Sequence, residues 1–389
     1  MPFVHAASRA ALLAAAASFA VSTTAAQAGP KFQVLYSFSG KKDGRNPHGP
    51  LMLDKQGNLY GTTVQGGKSG YGVVFRLAPD RKQSVLYSFT RGEDGGYAYG
   101  GLVQDKADNL FGVTLLGGPQ DEGLVYKLAS DGKQTVLHSF SGIPDGSTPE
   151  SGLVLDKAGN LYGTTPFGGY GPGTIFKLKP DGTETILHNF ADGYNDGAYP
   201  YGGVTIDKKG NLYGTTNDGG SGGQQQGPGI IYKLAANGKF SVLYHFGAGA
   251  DGGYPAAAPA IDASGNLYGT TIAGGDFGEG VLYKLTPDGT YTVLHSFGGS
   301  GDGEYGIGRP VMDGDGSLYG VTKEGGGACG CGIVFKLAPD GSYSVLHSFA
   351  GKDGREPGDG LMIDKQGNLF GTTYEGGKSD AGTVFKIGK

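Results

Sequence analysis

Six residues have the side chains that polar recognition or acid–base chemistry needs: His48, Tyr99, Glu150, Tyr201, Arg309 and Asp359. Each sits just ahead of a short apolar run, where an otherwise regular sequence breaks its own pattern; other copies of the same unit carry Ala256, Ile307 and Gly358 there. An imidazole with a carboxyl group, as His48 with Glu150, or a carboxylate with a guanidinium, as Asp359 with Arg309, can support hydrolysis or β-elimination. Tyr99, Tyr201, Arg309 and Asp359 also suit a hydroxylated ligand, through ring stacking and hydrogen bonds. Against catalysis stands the lack of a recognisable nucleophile–base spacing. Charged and Tyr side chains also commonly do no more than solvate a loop. No G-x-S-x-G, H-E-x-x-H or P-loop is present. The Gly-Gly pairs, from Gly66-Gly67 to Gly376-Gly377, lead into strand-like runs and so do not cradle phosphate at a helix start.

The frame that must position these residues is a repeat. Gly-Asn-Leu-Tyr-Gly-Thr-Thr at Gly57–Thr63 returns with small changes, its aromatic at Tyr60, Phe111, Tyr162, Tyr213, Tyr268, Tyr319 and Phe370, at spacings of 51, 51, 51, 55, 51 and 51 residues. A unit of that size has too little core to fold alone and must stack on its neighbours. Glycine reaches 79 of 389 residues without a Gly-X-Y period. With Asp and Asn punctuation between runs of Val, Leu, Ile, Tyr and Phe, that composition predicts short strands and tight turns.

Each unit holds four such runs, here termed A to D. In the second they are 101–105, 109–114, 123–128 and 135–140. Four hairpin-linked strands repeated radially make a β-propeller, with small residues such as Gly202-Gly203 and Ala257-Ala258 at the crowded axis and Val-Leu-Tyr/His-Ser-Phe at the rim. The chain enters the repeat on a D run at 32–38 and leaves it on a C run at 382–387, so the first should complete the last blade. The expectation is an all-β, single seven-bladed propeller over 29–389, with blades at 51–89, 102–140, 153–190, 204–246, 259–297, 310–349 and 361–387 plus 32–38.

Two sets of Asp recur in every copy. Asp54 and its equivalents precede Gly-Asn and read as turn acceptors; no further carboxylates gather as a calcium loop requires. Asp43, Asp94, Asp145, Asp196, Asp251, Asp302 and Asp353 each precede the first set by 11 residues, which is structural regularity. His138, His188, His295 and His347 share one D position with Tyr36, Tyr87 and Tyr244, marking packing rather than catalysis. The long D–A and B–C loops of a propeller emerge at one end, which is where the six irregular residues belong. Tyr97, Tyr194, Tyr199, Tyr254 and Tyr305 make that end aromatic, and the B–C loop at 217–229, with Gln224-Gln225-Gln226, is enlarged.

Residues 1–28 differ in kind: His5 and Arg9, an Ala/Leu-rich run, then Ala26-Gln27-Ala28. They read as a secretory signal peptide cut after Ala28, with a retained anchor as the alternative. The expected location is the periplasm or the exterior, without stable membrane insertion. Net charge is −5 with Lys and Arg spread evenly, which gives nucleic acid no basic face. Cys329 and Cys331 leave open a local bridge, an intermolecular link or two free thiols, and make a poor zinc site. No metal site and no cofactor is expected. The missing Trp and metal cluster disfavour a quinone-dependent dehydrogenase.

The unit Leu-Tyr-Gly-Thr-Thr-Pro-Phe-Gly-Gly-Tyr-Gly-Pro-Gly-Thr-Ile-Phe-Lys-Leu at Leu161–Leu178 resembles the GloVer tandem repeat of bacterial exported proteins, and the resemblance spans about residues 32–387. Members are called choice-of-anchor proteins for their differing C-terminal surface anchors. The resemblance implies an extracytoplasmic, propeller-like protein and supplies no catalytic residues. Lys389 follows a C run with no sorting motif or hydrophobic tail, so a periplasmic or released protein is expected rather than an anchored one. The functional expectation is a binding or interaction module for an unidentified ligand, a glycan or an envelope or extracellular protein. The alternative is a polysaccharide- or lactone-acting lyase or hydrolase, with His48, Glu150, Arg309 and Asp359 at the axial mouth.

Overall fold

A computed structural model describes residues 31–190, 195–220 and 227–389. The expected signal peptide, Tyr194 and Gln224-Gln225-Gln226 lie outside the described residues. All regular structure among the described residues is strand, and no helix is long and apolar enough to cross a membrane. Seven antiparallel sheets form the blades of a propeller. Blade three is typical: A is Val154–Leu155, B Leu161–Thr165, C Thr174–Leu178 and D Glu184–Asn189. The first strand of the chain, Phe32–Ser37, pairs with Thr383–Ile387, from Phe32 opposite Ile387 to Ser37 opposite Thr383. Blade seven thus takes its D strand from the start of the chain, and the ring closes without a free sheet edge at the seam.

The recurring heptapeptide explains itself residue by residue. Gly57 turns with φ +85°, and the Asp54 carboxylate accepts from the Gln56 and Asn58 N–H groups and from Asn58 Nδ2 at 2.7 Å. Desolvation pushes the Asp54 pKa up, but the Asn58 bonds outweigh it and hold the carboxyl below its ordinary range. Leu59 enters the core. Gly61 has no room for a side chain, since a Cβ would lie 2.7 Å from the Phe75 ring. Thr62 Oγ1 donates 3.0 Å to the Gly100 carbonyl of the next blade, and Thr63 Oγ1 to the Gln65 carbonyl. Thr164, Thr215 and Thr270 make the same reach between blades, to Pro200, Ala257 and Gly308.

Aromatic pairs fill the remaining contact between blades. A D-strand Phe meets a C-strand ring of the following blade edge to face, Phe38 on Phe75 and Phe140 on Phe176 at 5.2 Å each, and Phe349 on Phe385 likewise. Such a geometry adds about 0.5–1.5 kcal/mol per pair beyond its area. The rim histidines and tyrosines serve the second Asp set. Tyr36 donates to Asp43 at 2.9 Å and Tyr87 to Asp94 at 3.0 Å, while His188 meets Asp196 at 2.9 Å and His347 meets Asp353 at 2.8 Å. Phenol and imidazole interchange because both bring a polar N or O to the same carboxylate.

The D–A connections are less free than their length suggests. Arg45–Pro47 and Arg355–Pro357 form extra short strands against strand B, so blades one and seven hold five strands rather than four. In blade six this segment is continuous with strand A over Gly303–Met312. At one shared position the backbone takes a positive φ in every copy: Asn46, Tyr97, Thr148, Tyr199, Tyr254, Tyr305 and Glu356, between 50° and 59°. There the backbone N–H donates to the preceding blade, as from Tyr97 to the Tyr71 carbonyl and from Glu356 to the Cys331 carbonyl. Interblade anchoring compensates a conformation that costs a bulky residue about 1 kcal/mol or more.

Candidate functional site

The six irregular residues owe their position to packing at the axis. Immediately before strand A the backbones of adjacent blades touch. A Cβ on Gly49 would meet Gly101 N at 2.5 Å, and one on Gly308 would meet the Asp359 backbone at 2.4 Å. Asp359 N–H donates to the His48 carbonyl at 2.9 Å, which seams blade seven to blade one. Glycine is therefore required at most of these places, and a larger side chain fits only where it can turn into the lumen.

That lumen is a cavity of about 1000 Å³ lined by residues of all seven blades, running along the A strands to the turns at Asp54 and Asp364. Glu150, Tyr201, Arg309 and Asp359 line it. Arg309 spans the axis, from blade six to Thr205 Oγ1 of blade four at 3.1 Å. Protein surrounds the guanidinium and pushes its pKa down, yet the side chain is open to water in the lumen and keeps its charge. His48 Nδ1 lies 3.2 Å from Asp359 Oδ2, in ion-pair range but not aligned as a hydrogen bond. Burial, and then the Asp359 charge, push the Glu150 carboxyl up to about 7, while His48 draws it partly back. The Tyr201 hydroxyl is pushed up to about 12 by burial and by Glu150, so it remains a neutral donor.

Tyr99 stands differently. It does not line the cavity but packs behind it, its ring 4.1 Å from that of His48 and its pKa raised by burial and by Tyr374. It positions His48 rather than facing the lumen. Tyr374 closes on the other side of the imidazole, edge-on at 5.8 Å, although strand B of blade seven offers no sequence signal for that role. Phe167 was also invisible in the sequence: it lies in the B–C loop of blade three, 40% exposed, with its ring 6.0 Å from Tyr201 and 5.5 Å from Tyr199. Only the match of Phe167 to non-aromatic residues in other copies could have marked it. Cys329 and Cys331 are joined by a disulfide in the B–C loop of blade six, away from the axial groups.

The arrangement offers a carboxyl poised near neutrality, a second carboxylate, a fixed cation and a Tyr ring lining one cavity, with the His48 imidazole paired to Asp359 but not itself among the lining residues. It can hold a polar ligand from several sides, and Glu150 can exchange a proton near pH 7.

Comparison with known proteins supports the fold and leaves the chemistry open. Residues 19–169, 83–260 and 220–389 match the Gloeobacter/Verrucomicrobia repeat. A search of curated proteins finds no match. Among solved structures, a streptogramin B lyase is similar with a TM-score of 0.60 at 14% identity, covering 92% of this chain and 97% of that one. Virginiamycin B lyase from Staphylococcus aureus gives 0.59 at 12%, covering 92% and 99%. The extracellular domain of a hybrid two-component system from B. thetaiotaomicron gives 0.59 at 12%, covering 91% of this chain and 39% of that one. At such identities the likeness is one of fold.

Proposed function

The chain belongs to the Gloeobacter/Verrucomicrobia repeat family, and from that premise we propose that it is an exported binding module that holds a hydroxylated ligand, of carbohydrate type, at the axial mouth of the propeller. One observation carries this reading: Glu150, Tyr201, Arg309 and Asp359, from four different blades and each at a break in the repeat, line the same cavity. A sugar presents adjacent hydroxyls that donate to carboxylates and accept from a guanidinium, and an apolar face that stacks on Tyr. Phe167 and Tyr199 extend the aromatic surface outward from Tyr201. The N-terminal 28 residues support a periplasmic or secreted location.

The test is a glycan array followed by calorimetry on any hit, with the Tyr201→Ala/Asp359→Ala double variant, which removes two lining side chains, beside the parent chain. Capture that disappears in the double variant supports the axial site; undiminished capture removes it from this position.

A lyase or hydrolase is the second reading, favoured by the Glu150 carboxyl near 7 beside the His48–Asp359 pair. The resemblance to lyases adds only fold, so this reading stands on those three residues. Turnover of a bound glycan or lactone that is abolished by Glu150→Gln, with binding retained, would favour it over the first.

A further inference from the structure

The rim pairs of His or Tyr with Asp repeat around the propeller, and each meets the first residue of the next D strand. That residue is aromatic or an amide in six of the seven places. Phe32 stacks on His347 at 3.5 Å, Phe240 on His188 at 3.9 Å, Tyr291 on Tyr244 at 4.0 Å and Tyr343 on His295 at 3.6 Å. Gln83 and Gln134 instead donate Nε2 to the carbonyls of Asp43 and Asp94. The seventh place, between blades two and three, holds Glu184.

A carboxylate can neither stack nor donate there. Glu184 Oε1 is buried without a hydrogen-bond partner and lies 3.8 Å from His138 Nε2, which is itself 2.9 Å from Asp145 Oδ2. The three side chains are only 14%, 19% and 11% exposed, and Asp145 is the member of its Asp set that is buried. Two carboxyl groups and one imidazole thus crowd into one largely buried space between blades two and three. Asp145 Oδ1 is already fixed by Ser141 N–H at 3.1 Å and Ser141 Oγ at 2.7 Å, which leaves Oδ2 directed at the cluster.

We propose that His138, Asp145 and Glu184 form a binding site for a divalent transition-metal ion of the zinc class, bridging blades two and three. One nitrogen and two oxygens are a donor set that zinc accepts. All three donor atoms lie within 4.8 Å of one another. Donors on a tetrahedral zinc, at about 2.0–2.2 Å from the ion, stand roughly 3.4 Å apart. The observed 2.9 and 3.8 Å bracket that value, so small side-chain rotations suffice. Metal binding replaces the proton between His138 and Asp145, and Ser141 is the outer partner that orients the aspartate. Three protein ligands leave the fourth position to water or to an added ligand. On this proposal His138 does more, at this one blade boundary, than the packing that its interchange with Tyr suggested.

The other blades supply the controls. Glu184→Gln restores the residue of blades one and two, and His138→Tyr that of Tyr87, so both variants keep a side chain the fold accepts elsewhere. The untagged chain, stripped with chelator, is titrated with zinc by calorimetry and with cobalt by visible absorption. We expect one saturable zinc per chain, a tetrahedral cobalt spectrum, and a zinc-induced rise in melting temperature. Each variant should bind at least about 10-fold more weakly, the scale at which even an outer partner acts, while its melting temperature in chelator falls by no more than about 2 °C below the parent, so that lost binding is not lost folding. Absence of saturable binding in the parent, or equal affinity in both variants, overturns the assignment.

Discussion

Replacing Glu150 by Gln should stabilise the propeller, and the gain should depend on pH in a defined way. Burial and the Asp359 charge raise the Glu150 carboxyl from 4.5 to about 7. Below pH 4.5 the group is protonated in folded and unfolded chains alike, and its ionisation costs nothing. Between 4.5 and about 7 only the unfolded chain releases its proton, so the parent loses stability as pH rises. Above about 7 both states are ionised and the full cost remains. At about 1.36 kcal/mol for each tenfold step in acidity, that cost is roughly 3 kcal/mol. Gln has the same size and no charge at any pH. Urea unfolding of parent and Glu150→Gln chains across pH 4–8 should therefore show nearly coincident stabilities at pH 4 and a separation of about 3 kcal/mol at pH 8. Asp359→Asn removes the second cause of the raised pKa and should make that separation smaller and let it level off at a lower pH, with its onset still at the unfolded value of 4.5. A difference between parent and variant that stays flat from pH 4 to 8 would refute the account of a charge forced into the lumen.

Other interactions make separate claims. Deleting residues 31–38 removes the strand that pairs with Thr383–Ile387 and the buried Phe38; thermal unfolding should fall by well over 10 °C, and an unchanged melting temperature would contradict ring closure through that strand. Thr164→Val breaks the bond to the Pro200 carbonyl while keeping the shape that Val113 already has in blade two. A loss of about 1–2 kcal/mol in denaturant unfolding is expected, and no loss would deny the threonine its linking role. Thr148 is a β-branched residue held at φ 52°, where blade one carries Asn46. Thr148→Asn should stabilise by about 0.5–1 kcal/mol, measured in the same way, and destabilisation would argue against strain at that position.

Blade number, strand order and closure were legible because a period of 51 residues states them seven times over. The site was legible only in part, and the division has a physical cause. Glu150, Tyr201, Arg309 and Asp359 could be picked out because the axis excludes side chains, so any large residue there must face the lumen. Tyr99 obeys the same sequence rule yet turns back against His48, since choice of rotamer is set by neighbours distant in the chain. The aromatic residues at positions 97, 199, 254 and 305 were legible as the aromatic end of the propeller, but not the shared positive φ and interblade bonds by which their backbone is also part of the scaffold. Glu184 was overlooked because its oddity appears only beside His138, 46 residues earlier in the chain and one blade away.

The seam in blade seven also governs how the molecule must be made. Phe32 pairs with Ile387, so the strand that appears first has its partner in the strand that appears last. Six blades can assemble in order from local hairpins, but the ring cannot lock until almost the whole chain is present. Contacts of such separation form slowly, because loop closure costs entropy before any pairing offsets it. During that interval Phe32–Ser37 is a bare, largely apolar strand, and the sheet of blade seven has an unguarded edge. In a crowded compartment those two edges can also find each other across molecules. The bond that makes the finished propeller seamless is thus also the step at which its production is most exposed to strand exchange between copies.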